Sequence, residues 1–256
     1  MFILELSDSP SKNCKDTHSP VLELIVATLN KNENELYTYN ANKKQGLTAR
    51  YAERVGIIYK NNKQIIDINF NELAEINNID EKYKFARNPY IIPIYIYNDQ
   101  YIFMICHIQP NKVNNELSLL NDVFNDLYIK NKNKNFVLMG DYNADGSYLS
   151  NKNELNNPLF TNKNLLCLTN NELTNLSKNK CYDRVLCSTN CLVKLNPVDN
   201  DQCNNAYCDV DYLEYLKLNK KQIKKISDHY PVFIEIKDIN KKRKLDILLN
   251  NNTKTI

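Results

Sequence analysis

The sequence predicts a single domain of the α/β class, because strand-like and helix-like segments both recur along it. Short apolar runs rich in Ile, Val and Tyr predict buried strands at Tyr37–Tyr39, Val55–Tyr59, Ile91–Tyr97, Tyr101–Ile105 and Phe136–Met139. Apolar residues spaced three and four apart predict helices at Val21–Asn30 and Glu116–Leu127. A chain of 256 residues can bury one large core, so one domain is the default expectation.

The composition is that of an ordinary globular protein, with 43% hydrophobic and 25% charged residues. A net charge of +3 is only weak evidence for a polyanionic partner. The 8 Cys form no CxxC pair, which argues against a structural zinc site and leaves both buried thiols and disulfides open. No apolar run has transmembrane length, and the start at Met1–Glu5 lacks the basic and apolar regions of a signal peptide.

The most informative stretch is GDYNADGSY, residues 140–148, directly after the predicted strand Phe136–Met139. Alternate side chains of an extended backbone share one side, so Asp141 and Asn143 can face the same space. A carboxylate and an amide at the end of a buried strand suit a hard cation and the phosphate that it holds. Taken alone, the stretch is equally well explained as a turn, because Asn, Asp and Gly are common turn residues.

Two further stretches change that balance. CYDRVL occupies residues 181–186, and ISDHYPVFIEI occupies residues 226–236. In this order, GDYNADGSY, YDRV and SDHYPV resemble the DNase I family of the endonuclease/exonuclease/phosphatase superfamily. The first motif looks more like DNase I proper than like the repair-endonuclease, lipid-phosphatase or sphingomyelinase branches.

The resemblance implies a fold and an activity. The fold is a four-layer α-β-β-α sandwich of two mixed β-sheets with outer helices, lacking the family's first strand. It spans residues 1–238, and a basic, disordered tail follows at residues 239–256. The implied protein is a monomeric endonuclease that needs Mg²⁺ or Mn²⁺, with Ca²⁺ as a structural or activating ion. It hydrolyses double-stranded DNA with little sequence specificity to 5′-phosphate ends, away from membranes.

The resemblance also implies roles for individual residues. The catalytic set is two His–carboxylate pairs in which Glu53 orients the general acid His107 and Asp183 orients the general base His229. The metal ligands are Glu5, Asp141 and Asp228. The groups expected to contact phosphate or DNA are Asn143, Arg87, Tyr51, Tyr148 and Tyr182.

Several of these residues have a structural explanation when considered alone. Glu5 is also a plausible surface residue near a terminus, Glu53 a solvated charge on an edge strand, and Arg87 a solvated residue at a strand entry. The order of the motifs favours the functional interpretation. Of the 3 His, His107 and His229 both fall at strand ends in family motifs, whereas His18 has no such context.

Departures from the family pattern keep alternatives open. The family's first strand and helix, which precede Glu5 and include an Asn that helps to hold metal and phosphate, have no counterpart. Ser7 replaces a minor-groove Arg, and Gly146 replaces a disulfide Cys. One alternative is a phosphatase or phosphodiesterase acting on a small or lipid phosphate; another is a truncated, inactive homologue that only binds. The compartment stays open: secreted if upstream residues exist, otherwise intracellular. The basic run at residues 241–244 is consistent with a nuclear signal or a DNA-attracting arm, but a solvated tail is the favoured interpretation.

Overall fold

The fold is described from a computed structural model of the chain. It covers residues 1–7, 18–32, 36–46, 48, 52–61, 66–68, 83–97, 99–169, 173–177, 179–191, 206–208, 217–234 and 236. The predicted tail at residues 239–256 lies outside this part of the chain. No helix in these ranges is long and apolar enough to cross a membrane.

The described helices and strands follow the predicted pattern of apolar segments. The helices are α1 (Pro20–Asn32), α2 (Val113–Lys130), α3 (Asn151–Asn156) and α4 (Lys220–Ile223), with a 3₁₀ turn at Pro110–Lys112. The strands are β1 (Phe2–Leu6), β2 (Tyr37–Ala41), β3 (Arg54–Lys60), β4 (Ile66–Ile68), β5 (Tyr90–Ile96), β6 (Asp99–Ile105), β7 (Asn135–Asp141), β8 (Leu165–Cys167), β9 (Asp183–Ser188), β10 (Ala206–Cys208) and β11 (Val232–Ile234). The strand predicted at Phe136–Met139 is therefore longer in the structure and continues to Asp141.

The largest sheet has six strands in the order β4-β5-β6-β7-β9-β8. Strands β6 and β7 are parallel, whereas the other neighbours are antiparallel. A parallel pair needs a crossover connection, and α2 supplies it. The carboxyl ends of β6 and β7 therefore meet at the same edge of the sheet, where β9 begins.

The faces of this sheet follow the two-residue period of a strand. Along β6, Ile102 and Met104 are buried against α2 together with Leu117 and Phe124. The alternate residues of β6, including Phe103, face a second core that also receives side chains from β1, β3 and β11.

A three-stranded sheet in the order β1-β3-β2 lies on that second core. Its outer face is covered by α1, where Leu22 packs against Ala41 and Ile58. The layers are therefore α1, three-stranded sheet, six-stranded sheet and α2, which confirms the α-β-β-α prediction. The smaller sheet is wholly antiparallel in the described residues, not mixed as predicted.

Five cysteines in the described ranges are free thiols, which answers part of the question that composition left open. They are Cys106, Cys167, Cys181, Cys187 and Cys191. Burial raises the pKa of the Cys181 thiol to about 11, so it stays protonated at neutral pH.

Gly140 marks the closest approach between the end of β6 and β7. Its φ of +146° lies in a region that L side chains rarely adopt, and a Cβ there would lie 1.9 Å from the carbonyl oxygen of Cys106. Gly146, with φ +64°, is less crowded, because its Cβ would meet the flexible amine end of Lys180. At Gly140 the obstructing atom is therefore a backbone oxygen, whereas at Gly146 it is the end of a flexible side chain that can move aside.

We expect Gly140→Ala to lower the free energy of unfolding by on the order of 3 kcal/mol or more, since backbone must shift to admit the methyl group. Gly146→Ala is the matched control and should cost about 1–2 kcal/mol, mainly for its left-handed φ. Urea denaturation followed by circular dichroism measures both. Equal losses would show that the Cys106 contact does not constrain the fold.

Candidate active site

The site forms where three neighbouring strands of the large sheet meet. His107 lies just beyond the end of β6, and Asp141 ends β7 beside it. Asp183, the first residue of β9, is the register partner of Asp141. The segment carrying His229 joins this edge by an isolated bridge between His229 and Asn175.

His107 is held by Glu53, which lies just before β3. The Nδ1 atom of His107 is 2.7 Å from Oε1 of Glu53, and both side chains are only 14% exposed. An ionised carboxylate can only accept a hydrogen bond, so Nδ1 carries the proton. The Nε2 atom of His107 is thereby left to face Asp141.

His229 repeats this arrangement with Asp183. Its Nδ1 atom is 2.7 Å from Oδ2 of Asp183, so its Nε2 atom also faces Asp141. The structure therefore assembles both predicted His–carboxylate pairs from four separate parts of the chain.

Asp141 lies between the two imidazoles. Its Oδ2 atom is 3.8 Å from Nε2 of His107 and 3.8 Å from Nε2 of His229. These separations are too long for hydrogen bonds. The other oxygen, Oδ1, accepts a 2.8 Å hydrogen bond from the backbone N–H of Asn143. The two Nε2 atoms and Oδ2 thus border one small polar space.

The pKa values report an excess of negative charge around this space. Burial, reinforced by the charge of Asp183, raises the pKa of Asp141 to about 6. Burial lowers the pKa of His229, but the Asp183 hydrogen bond and nearby carboxylates outweigh it and raise the pKa to about 9. The same competition, with Glu53 as partner, raises the pKa of His107.

The carboxylates suit a hard divalent cation. Oxygen and nitrogen atoms of Glu5, Glu53 and His107 lie within 4.8 Å of one another, a grouping that could hold an ion. Glu53 already serves two other groups, whereas Glu5 is 52% exposed and lies 3.5 Å from Nδ1 of His107. Glu5 is therefore the exposed carboxylate of this group, whereas Asp141 is buried and directs Oδ2 towards both imidazoles. Carboxylate oxygens are of the type that Mg²⁺ and Ca²⁺ prefer.

Asp228, the third predicted ligand, is at the surface. Its backbone carbonyl accepts a 2.8 Å hydrogen bond from the N–H of Leu176, and its charge contributes to the raised pKa of His229. The described residues thus place Glu5 and Asp141 beside the imidazoles, and Asp228 beside His229.

The predicted phosphate contacts are only partly free to bind phosphate. Asn143 is buried with φ +49°, and its Nδ2 donates a 2.9 Å hydrogen bond to the carbonyl of Ile108. The Nε atom of Arg87 is 2.6 Å from Oε1 of Glu53, the oxygen that also faces His107. Buried Nη2 of Arg87 has no hydrogen-bond partner among the described residues. Tyr51 lies outside the described part of the chain.

An aromatic row extends from His229 towards solvent. Tyr182 stacks on the His229 ring at 6.0 Å between centroids, and Tyr148 lies 5.7 Å beyond Tyr182. Tyr148 is 42% exposed, so the row forms an accessible edge of the site. Of the three predicted DNA-contacting tyrosines, Tyr182 is therefore adjacent to His229 and Tyr148 is adjacent to Tyr182.

Sequence reasoning missed the buried Arg184, which connects two segments of the site. Arg184 donates 2.9 Å hydrogen bonds to the carbonyl of Ala144 and to Oε1 of Glu154, and it also contacts the thiol of Cys181. Ala144 follows Asn143, so Arg184 ties the loop after β7 to the start of β9. A charged residue within the apolar strand β9 was the sequence feature that could have indicated this role.

Asp145 also has a structural role. Its Oδ2 accepts a 2.8 Å hydrogen bond from the N–H of Cys181. Asp145, which follows Asn143 by two residues in the GDYNADGSY stretch, therefore joins the loop after β7 to the segment before β9.

Comparison with known proteins finds relatives of this chain in sequence and in fold. No protein-family model matches the chain. Deoxyribonuclease-1-like 1 of Mus musculus is 29% identical over 192 residues, covering 73% of this chain and 57% of that protein. Deoxyribonuclease gamma of Rattus norvegicus is 25% identical over 227 residues, covering 85% of this chain and 70% of that protein.

Solved structures support the fold. An endonuclease/exonuclease/phosphatase family protein from Leptotrichia buccalis C-1013-b has a TM-score of 0.52 at 16% identity, covering 93% of this chain and 86% of its own. The endonuclease domain of TRAS1, a telomere-specific non-LTR retrotransposon, has a TM-score of 0.50 at 11% identity, covering 89% and 95%. At such identities the likeness establishes the fold alone.

The His229–Asp183 pair predicts a pH dependence of stability in the metal-free protein. Because the pKa of folded His229 is about 9, above about 6.5 for an unfolded His, its stabilisation is complete below pH 6.5 and is lost as pH rises through 9. Asp183→Asn should therefore abolish a contribution on the order of 2–3 kcal/mol that the parent protein loses across this range. Urea denaturation in EDTA at several pH values measures it, and parallel curves for the two proteins would contradict it.

Proposed function

Since the chain is DNase I-like in sequence and shares the fold of the endonuclease/exonuclease/phosphatase superfamily, we propose that it is a divalent-metal-dependent deoxyribonuclease. It hydrolyses phosphodiester bonds of double-stranded DNA and leaves 5′-phosphate ends. The observation that carries this proposal is the pair of carboxylate-bound imidazoles whose Nε2 atoms both face Oδ2 of Asp141 at 3.8 Å. Because one chain supplies all of these groups, we propose that it acts as a monomer.

The two imidazoles match the two proton transfers of hydrolysis. Nε2 of His229 takes a proton from water as its oxygen attacks phosphorus, and Asp183 stabilises the resulting imidazolium. The bond from phosphorus to the 3′ oxygen then breaks. The departing oxygen takes a proton from Nε2 of His107, whose ring is oriented by Glu53. His229 then returns its proton to solvent and His107 takes one up, so that the net reaction adds one water molecule to give a 5′-phosphate and a 3′-hydroxyl.

A divalent cation on this site would neutralise charge that develops on the phosphate. Glu5 and Asp141 would hold it, with Asp228 as a further ligand. The raised pKa values of Asp141 and His229 support this role: burial and then the charge of Asp183 raise the first, and the surrounding carboxylates raise the second. Neutralising Asp141 would also remove one of the charges that keep His229 protonated, and a general base must be neutral to act.

The aromatic row supports a polynucleotide as the substrate. Tyr182 stacks on His229 and Tyr148 lies next to Tyr182, where rings can pack against the sugars and bases of a nucleic-acid groove. Contacts to backbone and groove carry little sequence information, so we propose cleavage with little sequence specificity.

We expect His229→Ala and His107→Ala each to slow nicking of supercoiled plasmid by on the order of 10²-fold or more, because each loses a proton-transfer group. His18→Ala is the matched control: this His is exposed and pairs with Glu23 outside the site, so nicking should be unchanged. Gel electrophoresis measures the rates, and 5′-phosphate ends are read by ligation of the products. Variants that nick as fast as the parent protein would overturn the assignment.

Metal removal tests the cation requirement. Nicking should stop in excess EDTA and return with Mg²⁺ or Mn²⁺. Asp141→Asn should raise the Mg²⁺ concentration for half-maximal activity on the order of tenfold, since it removes a charged ligand. Activity that persists in EDTA would refute metal dependence. Hydrolysis of inositol phosphates or sphingomyelin in place of DNA would instead favour a phosphatase or phosphodiesterase.

A further inference from the structure

Glu116 is a fully buried carboxylate beneath the site, in the first turn of α2. Its Oε1 atom accepts a 2.8 Å hydrogen bond from the backbone N–H of Ala86. Its Oε2 atom accepts a 2.9 Å hydrogen bond from the backbone N–H of Gln109. One side chain therefore joins two segments that are far apart in the sequence.

Each of these segments carries a side chain of the site. Ala86 precedes Arg87, and Gln109 is two residues after His107. Arg87 and His107 converge on the same oxygen of Glu53, at 2.6 and 2.7 Å, and Nε of Arg87 also lies 3.3 Å from the carbonyl oxygen of His107. The bridge made by Glu116 thus sets how two partners of Glu53 approach each other.

The chemistry of the bridge requires a carboxylate. Buried backbone N–H groups need acceptors, and an ionised carboxylate offers one on each oxygen. The helix N-terminus favours the negative charge. A glutamine would present one oxygen and one NH₂ group, so either Ala86 or Gln109 would face a donor and lose its hydrogen bond.

We propose that Glu116 is a positioning residue that holds His107 and Arg87 in the geometry needed to protonate the leaving 3′ oxygen. This inference rests on the proposed nuclease function and on His107 as its general acid. Glu116 touches neither the polar space at Asp141 nor the aromatic row in any described contact. It acts by holding the backbone near His107 and does not contact the substrate.

A change of leaving group distinguishes a role in positioning the general acid from a general requirement for a folded protein. A thiolate departs without protonation, so a DNA duplex whose scissile 3′ oxygen is replaced by sulfur needs no general acid. Cleavage of this linkage and of the matched oxygen linkage is measured on the same duplex sequence, with Mg²⁺. Misplacing a catalytic group by about 1 Å can cost on the order of 10²-fold.

We expect Glu116→Gln to lower kcat on the oxygen linkage by on the order of 10- to 100-fold, with KM changed by less than about threefold. On the sulfur linkage, kcat should fall by less than about threefold, since the step that Glu116 supports is absent. His107→Ala should show the same selectivity more strongly. The control is Val123→Ala, a buried core change on the same helix, which should leave the ratio of the two rates unchanged.

Equal losses on both linkages for Glu116→Gln would overturn the inference and assign Glu116 to folding alone. If Glu116→Gln does not fold, Glu116→Asp, which keeps the charge but withdraws the oxygens by one methylene, is compared in the same way. Failure of both variants to fold would also overturn it. Failure of the proposed function is seen separately, because the parent protein would then cleave neither linkage.

Discussion

The parallel pairing of β6 and β7 is the constraint on which the site depends. It brings the ends of both strands to one edge, so that His107 and Asp141 become neighbours although they are far apart in the sequence. The approach is close enough to exclude any side chain at Gly140, where a Cβ would strike the Cys106 carbonyl. The crossover helix α2 belongs to the same arrangement, because it connects β6 to the parallel strand β7 and covers the sheet.

Charge, rather than shape, characterises the space formed at this edge. Two imidazoles are each bound by a carboxylate and both face a third, buried carboxylate. Burial and, after it, the charge of Asp183 raise the pKa of Asp141, and the nearby carboxylates raise that of His229. A cluster of carboxylates of this kind suits a hard cation, in keeping with the proposed metal dependence.

Polar side chains behind the site join the segments that carry its residues. Arg184 and Asp145 join the loop after β7 to the start of β9, and Glu116 joins the segments of Arg87 and His107. Each satisfies backbone groups that burial would otherwise leave unpaired. Because these hydrogen bonds join different segments, they connect several loops that together hold the two imidazole rings.

The sequence by itself determined the α/β class, the main strands and helices, and the residue types of the site. Apolar periodicity and motif order act locally along the chain, which is why β6, β7 and the region of His107 could be recognised from them. Only the tertiary structure decided that Arg87 pairs with Glu53, that Asp145 turns to Cys181, and that Glu116 spans two loops. These contacts join distant segments through individual hydrogen bonds, and no periodicity or spacing in a single sequence encodes which donor meets which acceptor.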